Sequence, residues 1–579
     1  MNNWLVGTNY PEWMEDEGLK TLHRQHLLDG ETPAMMYSRV IDTLSDRLFL
    51  MLKATKMHRS EIKIRVKEIK QKWHTYIWNG WLSPATPILS NVGTKRGYGI
   101  SCFILKLDDS LDSIYMKMHE MAMLTQKGGG VGVTFDDVRG RGESISTGGF
   151  SEGVIPFIKN YDSAIMSTSQ GYTRRGAISI NLNVRHKDIK EFLHIRLPEG
   201  DVNRQCLNIN HSVSVDDQFM ESLQTGNKES QKIWSDILSV RMKTGQPYIF
   251  YSDTVSNKRP EDMKKNKLKI LNTNICTEIM LPHDSKHTVV CDLASLNMTK
   301  YGEWKNDTEF IELSLLFLDV NAEEFISNAT DAIGFENAVS FCKKARALGL
   351  GLLGWASYLQ GLRIPFTSLQ SRGIINNLGI FLKSCGEKYQ EKWSKILGSP
   401  EWCDKNRNLT LFAIAPTTTT SLIMGGVSQG IEPIIANAWI QKSAKGTFIR
   451  KNRVFKELVQ DKYNEWDTIE MWNELTTKWK GSVQSFPWLS TEDKELFLTA
   501  YEINQLELVR QVALFQNYVD QGISTNLFFP SDVSPKWLNK VHLAAWQEGL
   551  KSLYYVRTDS ISSKNMPSSV FKDCVFCEG

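Results

Sequence analysis

Two cysteine-bearing stretches define what chemistry this chain can do. In "TNICTEIM", Thr273 to Met280, the polar residues Asn274, Cys276 and Glu278 recur at every second position. A strand points alternate side chains to one face, so the spacing predicts an amide, a thiol and a carboxylate in one row. Burying Asn274 and Glu278 unpaired would be costly, which predicts a polar cavity over that face rather than a dry core. The second stretch, Cys574-Val-Phe-Cys577, closes a Ser-rich segment, "DSISSKNMPSSVFKDCVFCEG", that reads as a mobile tail. Two thiols at this spacing can close a disulfide or supply half of a zinc site. The pair His283 and His287 in "PHDSKH" has suitable spacing for the other half but lies far away along the chain. Redox use is therefore favoured: thiols on a tail can visit a buried partner, exchange with it and return to solvent. Ordinary terminal thiols are the plain alternative.

Other groups gain meaning only in company. Cys102 in "GISCFI" and Cys291 in "VVCDLASLN" fall in expected strands, where a lone cysteine is usually a small buried hydrophobe. Tyr554 and Tyr555 are adjacent in "SLYYVRT"; packing is the default for such a pair, although tyrosine can be oxidised reversibly by one electron. In "APTTTTSLIMGG" five hydroxyls, Thr417, Thr418, Thr419, Thr420 and Ser421, precede a helical run. One hydroxyl suffices to cap a helix, so the row suggests a phosphate or carboxylate site. The glycines ending at Gly130 in "QKGGGVGVTF" let backbone approach a ligand or turn sharply. "GLGLLG" fits a dinucleotide fingerprint but follows helix-like sequence and has no acid about 20 residues beyond, so that reading is rejected. No P-loop pattern is present.

The elements that must position these groups change character at Trp81. From Thr32 to Trp81 the chain reads as helical, although Ile62, Ile64, Val66 and Ile69 make no clean stripe and the lysines around them read as a solvated face. Beyond it, short runs such as "SCFILKL", "GVGVTF", "AISINLNV" and "LTLFAIAP" alternate with helical segments, which predicts an α/β sheet with crossover helices, closed as a barrel or left open. A chain of 579 residues holds two to four average domains or one unusually large barrel with attachments. The net charge of +3 gives no reason to expect a nucleic-acid polymer as partner, and neither a signal peptide nor a membrane-length apolar run occurs. The chain is expected to be cytoplasmic, with its nine cysteines reduced rather than forming a disulfide scaffold.

Taken in order, "SPATPILSN", "SCFILKLDDSLDSI", "KGGGVGV", "TNICTEI", "CDLASLN", "APTTTTS", "GIEP" and "SLYY" make the chain resemble the large, catalytic subunit of ribonucleotide reductase, class I type, from about Trp81 onward. The resemblance implies an N-terminal helical region over 1–80, a ten-stranded α/β barrel over 81–560 and a redox-active tail over 561–579. It places Cys276 on a loop inside the barrel instead of a strand, as a thiyl radical that takes the 3′ hydrogen of a ribonucleotide. Glu278 then serves as base on the 3′ hydroxyl, and Asn274 holds the substrate hydroxyls. Cys102 and Cys291 form the reducing pair, re-reduced by Cys574 and Cys577. Tyr554 and Tyr555 relay oxidising power from a separate metal-containing, ferritin-like small subunit, with no cofactor bound in this chain itself. Thr86, Ser101, Gly130 and Thr417 to Ser421 line the substrate pocket. Asp109, Ser110 and Arg139 resemble a specificity site for a deoxynucleotide or ATP effector at a dimer interface, and Ser169, Gln170, Gly171, Arg174 and Arg175 belong to the loop that carries its signal. Thioredoxin or glutaredoxin is the implied reductant and a homodimer the implied assembly. The segment before Trp81 does not resemble the family's additional ATP-binding domain, so no dATP inhibition through such a domain is expected. Three alternatives stay open: an adenosylcobalamin-dependent member of the family, a catalytically silent nucleotide-binding subunit, and a thiol or zinc module built on the tail.

Overall fold

The structure is a computed structural model that describes residues 9–168, 176–443 and 446–559. The tail cysteines Cys574 and Cys577, and Ser169, Gln170, Gly171, Arg174 and Arg175, lie outside the described residues.

Before Trp81 the chain is helical, with long helices Pro33–Lys53 and Arg59–Trp78. Pro33 stands at the first helical position, and the Thr32 hydroxyl accepts a hydrogen bond from Met35 N at 3.3 Å, a start that satisfies a donor with no partner inside the helix. The second helix buries Ile62, Ile69, Trp73, Tyr76 and Ile77 and leaves Ile64 61% exposed, which explains the missing stripe: the face is completed by aromatic residues farther along. Trp73 fastens it to the body through an indole N–H donated to Leu313 O at 2.8 Å.

The body is a ring of strands. Its strands are β1 (Leu82–Pro84), β2 (Cys102–Lys106), β3 (Gly130–Thr134), β4 (Ala177–Asn183), β5 (Asn210–Val215), β6 (Tyr248–Tyr251), β7 (Val289–Asn297) and β8 (Leu348–Leu353), joined late in the chain by β12 (Ser552–Leu553), while β9 (Ala438–Ser443) with β10 (Gly446–Lys451), and β11 (Leu527–Phe529) with β13 (Val556–Thr558), form separate two-stranded sheets. Strands β2 to β6 run parallel in sequence order, while β7 pairs antiparallel with β2 and parallel with β8. On the far side β12 pairs antiparallel with β6. Two irregular segments complete the circuit: Leu350 N donates to Leu411 O at 2.8 Å, Ile414 N to Gly522 O at 3.1 Å and Tyr554 N to Thr525 O at 2.8 Å. Two parallel halves of five thus face each other in opposite directions, as the expected ten-stranded barrel requires, and β1 extends the edge of β7.

The expected strand "LTLFAIAP" makes only isolated bridges at Phe412 and Ile414. The cause is local: Leu411 N and Phe412 N both donate to the Asp520 carboxylate, at 2.7 and 3.0 Å, so these donors are spent on a side chain instead of a ladder. "TNICTEIM" is not a strand either. Its alternation reflects a turn inside the ring, which corrects the expectation from spacing and agrees with the one from resemblance. Among the described residues no helix is long and apolar enough to cross a membrane.

Candidate active site

The turn that carries Cys276 is held through its own backbone groups. Thr277 N donates to Asn274 O at 3.2 Å, Gly522 N donates to Glu278 O at 2.7 Å, and the Ser552 hydroxyl donates to Thr277 O at 2.9 Å. Thr277 has a φ of 68°, a left-handed conformation that a β-branched residue adopts only where its surroundings impose it. The neighbouring strand makes room with glycine. A Cβ on Gly132 would come within 2.4 Å of Thr273 O, and one on Gly130 within 3.0 Å of Ile275 Cγ2. Gly130 therefore supports the site by close approach of its backbone to the cysteine turn.

Within the turn the three polar groups are buried, and the amide and carboxylate are joined. Asn274 Nδ2 donates to Glu278 Oε1 at 3.0 Å, while Asn274 Oδ1 accepts from Ile279 N at 3.1 Å. Ser524, from the irregular segment opposite, donates through its hydroxyl to Glu278 Oε2 at 3.2 Å and also contacts the Cys276 carbonyl. Ser524 was invisible to sequence reasoning, since in "DQGISTNLFF" it is one of several small polar residues and belongs to no motif.

Cys102 and Cys291 are register partners across the antiparallel β2–β7 pair. Residues so opposed have Cα atoms about 4.5–5.5 Å apart, inside the range of about 4.4–6.8 Å that a disulfide spans. Burial pushes the Cys291 thiol well above its usual range, against the pull of a hydrogen bond from Gln521. Cys276, Ile275, Tyr248, Tyr554 and Tyr555 form one buried cluster. Ring centroids of Tyr554 and Tyr555 lie 4.3 Å apart, and Tyr248 lies 4.7 Å from the first and 5.0 Å from the second. The Arg557 guanidinium stands 4.4 Å above the Tyr555 ring. Tyr248 is a third aromatic that sequence reasoning missed, because "PYIFY" reads as an ordinary strand.

A family model described as the ribonucleotide reductase barrel domain matches residues 100–230, 222–383 and 386–556. The chain belongs to the ribonucleotide reductase large-subunit family. It is 30% identical over 597 residues to the ribonucleoside-diphosphate reductase large subunit of Invertebrate iridescent virus 3, covering 88% of this chain and 92% of that one. Among solved structures it resembles the class Id ribonucleotide reductase alpha subunit of Actinobacillus ureae, with a TM-score of 0.84, 32% identity and coverage of 94% and 97% of the two chains. The vitamin B12-dependent ribonucleoside-diphosphate reductase of Thermoplasma acidophilum matches at 30% identity, covering 82% of this chain and 63% of its own length.

The remaining residues expected from the reductase resemblance divide by how they are used. In the hydroxyl row, Thr417 lies at a φ of 57°, accepts from Gly430 N at 2.8 Å and pairs with the Ser421 hydroxyl at 2.9 Å. Those two therefore brace the turn that precedes the short helix Thr418–Ile423, while Thr418 bonds Gln429 at 3.3 Å and is the half-buried member of the row. The Thr86 hydroxyl is buried and has no hydrogen-bond partner among the described residues. Ser101 is buried at the mouth of β2, its carbonyl accepting from Gly130 N at 2.7 Å. On the surface, Arg139 binds Asp109 through both Nε, at 2.8 Å, and backbone N, at 3.2 Å. Ser110 caps the helix Leu111–Gln126 by accepting from Ser113 N at 3.1 Å.

Next to Gln521, which contacts Cys291, sits a buried lysine. Lys551 Nζ donates to Asp520 O at 2.6 Å and Gln521 O at 2.8 Å, and burial pulls its pKa down from 10.5 to about 7. Between those values the unfolded chain keeps a proton that the folded chain gives up, so this group makes stability rise with pH through that window. The slope is at most about 1.4 kcal/mol per pH unit. Denaturant melts at pH 7, 8 and 9 are expected to show wild type gaining on Lys551→Met as pH rises; parallel curves would contradict this assignment.

Proposed function

We propose that this chain is the catalytic subunit of a class I ribonucleoside-diphosphate reductase, and that its barrel centre carries out radical reduction of the 2′ carbon. The observation that carries the reading is the convergence in one ring of the Asn274–Glu278 pair, the Cys276 turn, the opposed thiols Cys102 and Cys291, and the clustered tyrosines. Cys276, as a thiyl radical, removes the 3′ hydrogen. Glu278 accepts the 3′ hydroxyl proton, a role supported by the hydrogen bonds from Asn274 and Ser524 that hold its carboxylate. Asn274 aligns the substrate hydroxyls, so that all three groups act on one sugar. Cys102 and Cys291 supply two protons and two electrons and end as a disulfide: one proton leaves with the 2′ hydroxyl as water, the other becomes the new hydrogen on C2′, and Cys276 then returns its hydrogen to C3′ and is again a thiyl radical.

Oxidising power reaches Cys276 from a separate metal-containing small subunit through Tyr555 and Tyr554, a role that ring separations of 4.3–5.0 Å support. An adenosylcobalamin-dependent enzyme needs no such entry route, and the tyrosine cluster weighs against that alternative. The orphaned Thr86 hydroxyl and the outward Thr418 suit contacts to a substrate phosphate. Asp109, Ser110 and Arg139 form the specificity site, which acts through Ser169, Gln170, Gly171, Arg174 and Arg175. We further propose that 1–80, 81–560 and 561–579 act as helical region, catalytic barrel and redox tail.

The tail assignment has a direct test. The double variant Cys574→Ser, Cys577→Ser is expected to complete roughly one turnover per chain and then stop when thioredoxin is the reductant. Unchanged steady-state turnover with thioredoxin would remove the tail from the mechanism.

A further inference from the structure

Gln521 is fully buried, and its amide spans two parts of the site. Oε1 accepts from Met280 N at 3.1 Å, two residues beyond Glu278. Nε2 lies 3.3 Å from Cys291 Sγ, 2.9 Å from Leu348 O and 3.0 Å from Thr410 Oγ1. An amide has two hydrogens for these three acceptors. Leu348 O also accepts from the Thr410 hydroxyl at 3.0 Å, so it stays satisfied while an amide hydrogen points at sulfur. The backbone of Gln521 is itself clamped: its N–H donates to Phe412 O at 3.1 Å, and its carbonyl accepts from Lys551 Nζ at 2.8 Å and Gln516 Nε2 at 2.9 Å. A side chain rooted this firmly has little freedom to point elsewhere.

We propose that Gln521 is a positioning residue for the reducing pair: its N–H holds Cys291 Sγ opposite Cys102 and stabilises charge on that sulfur, while its carbonyl ties the same sulfur to the Cys276–Glu278 turn. The inference rests on the proposed pairing of Cys102 with Cys291. Its consequence falls on the reopening of the disulfide. When an external dithiol thiolate attacks, a new sulfur–sulfur bond forms on one cysteine and the other leaves as thiolate; a second attack within the dithiol frees the first. A donor beside Cys291 makes Cys291 the better leaving group, and better leaving thiolates depart faster. The dithiol is oxidised to its disulfide, and both protein sulfurs regain protons from solvent.

The test is a single turnover with CDP, acid quench, mass-spectrometric detection of the Cys102–Cys291 disulfide, and the rate of its reduction by dithiothreitol. Gln521→Glu keeps an acceptor for Met280 N and removes the donor to sulfur; Gln521→Met removes both. Both variants are expected to bind CDP as wild type does and to lose about tenfold in the reduction rate. Reduction in Gln521→Glu as fast as in wild type would overturn the assignment. Loss of CDP binding in both variants would also overturn it, in favour of a role confined to the Met280 turn. A wild-type enzyme that forms no Cys102–Cys291 disulfide would refute the pairing itself.

Discussion

Cys276→Ser is expected to bind CDP as wild type does and to form no dCDP above the blank, with any radical source. Serine has nearly the same shape, and the hydrogen bond that Ser524 directs at this residue goes to its backbone carbonyl, so the turn should survive. What is lost is the weak S–H bond: a serine hydroxyl holds its hydrogen far more tightly, and the preceding tyrosines cannot oxidise it. The buried apolar surroundings of Cys276, with Tyr248, Tyr554 and Tyr555 beside it, suit a radical that water must not reach. Rapid-quench product analysis with labelled CDP checks the prediction. Measurable dCDP from Cys276→Ser would move the thiyl radical to another residue.

Glu278→Gln is the second large effect. The amide is isosteric: its oxygen can still accept from Asn274 Nδ2, and its nitrogen can donate to the Ser524 hydroxyl, so neither partner is left bare. Proton acceptance is abolished all the same. Loss of a positioned general base costs typically about 10²–10⁴ in rate. We expect a fall of that size in kcat with KM little altered, the pattern of an interaction made in the transition state alone. A change confined to KM would make Glu278 a substrate ligand and return the base to another group.

How much of this was legible in the sequence depended on what each signal could encode. The helical region before Trp81 and the strands β2, β3, β4 and β7 were readable because each strand is a short apolar or β-branched run buried along nearly its whole length, set off from helical sequence on either side. The alternation in "TNICTEIM" was real yet misleading, since a turn pinned by Gly522, Ser552 and the left-handed Thr277 can collect the same residues. The segment 410–415 makes only isolated bridges because Asp520, over 100 residues later, takes the N–H groups of Leu411 and Phe412. Ser524, Gln521 and Tyr248 went unnoticed for a related reason: each acts through contacts with residues distant in sequence, and none belongs to a pattern of its own. The five-hydroxyl row was read as uniform, whereas Thr417 and Ser421 are occupied in bracing the turn.

The central claim is that an imported radical drives reduction of a ribonucleotide at Cys276. Its most direct test is reduction of labelled CDP with dithiothreitol and an ATP or dATP effector, supplying either a metal-loaded ferritin-like partner or adenosylcobalamin, with Tyr555→Phe alongside. The account predicts dCDP only with the partner subunit, and none from Tyr555→Phe. Product with adenosylcobalamin alone, indifferent to that substitution, would contradict it.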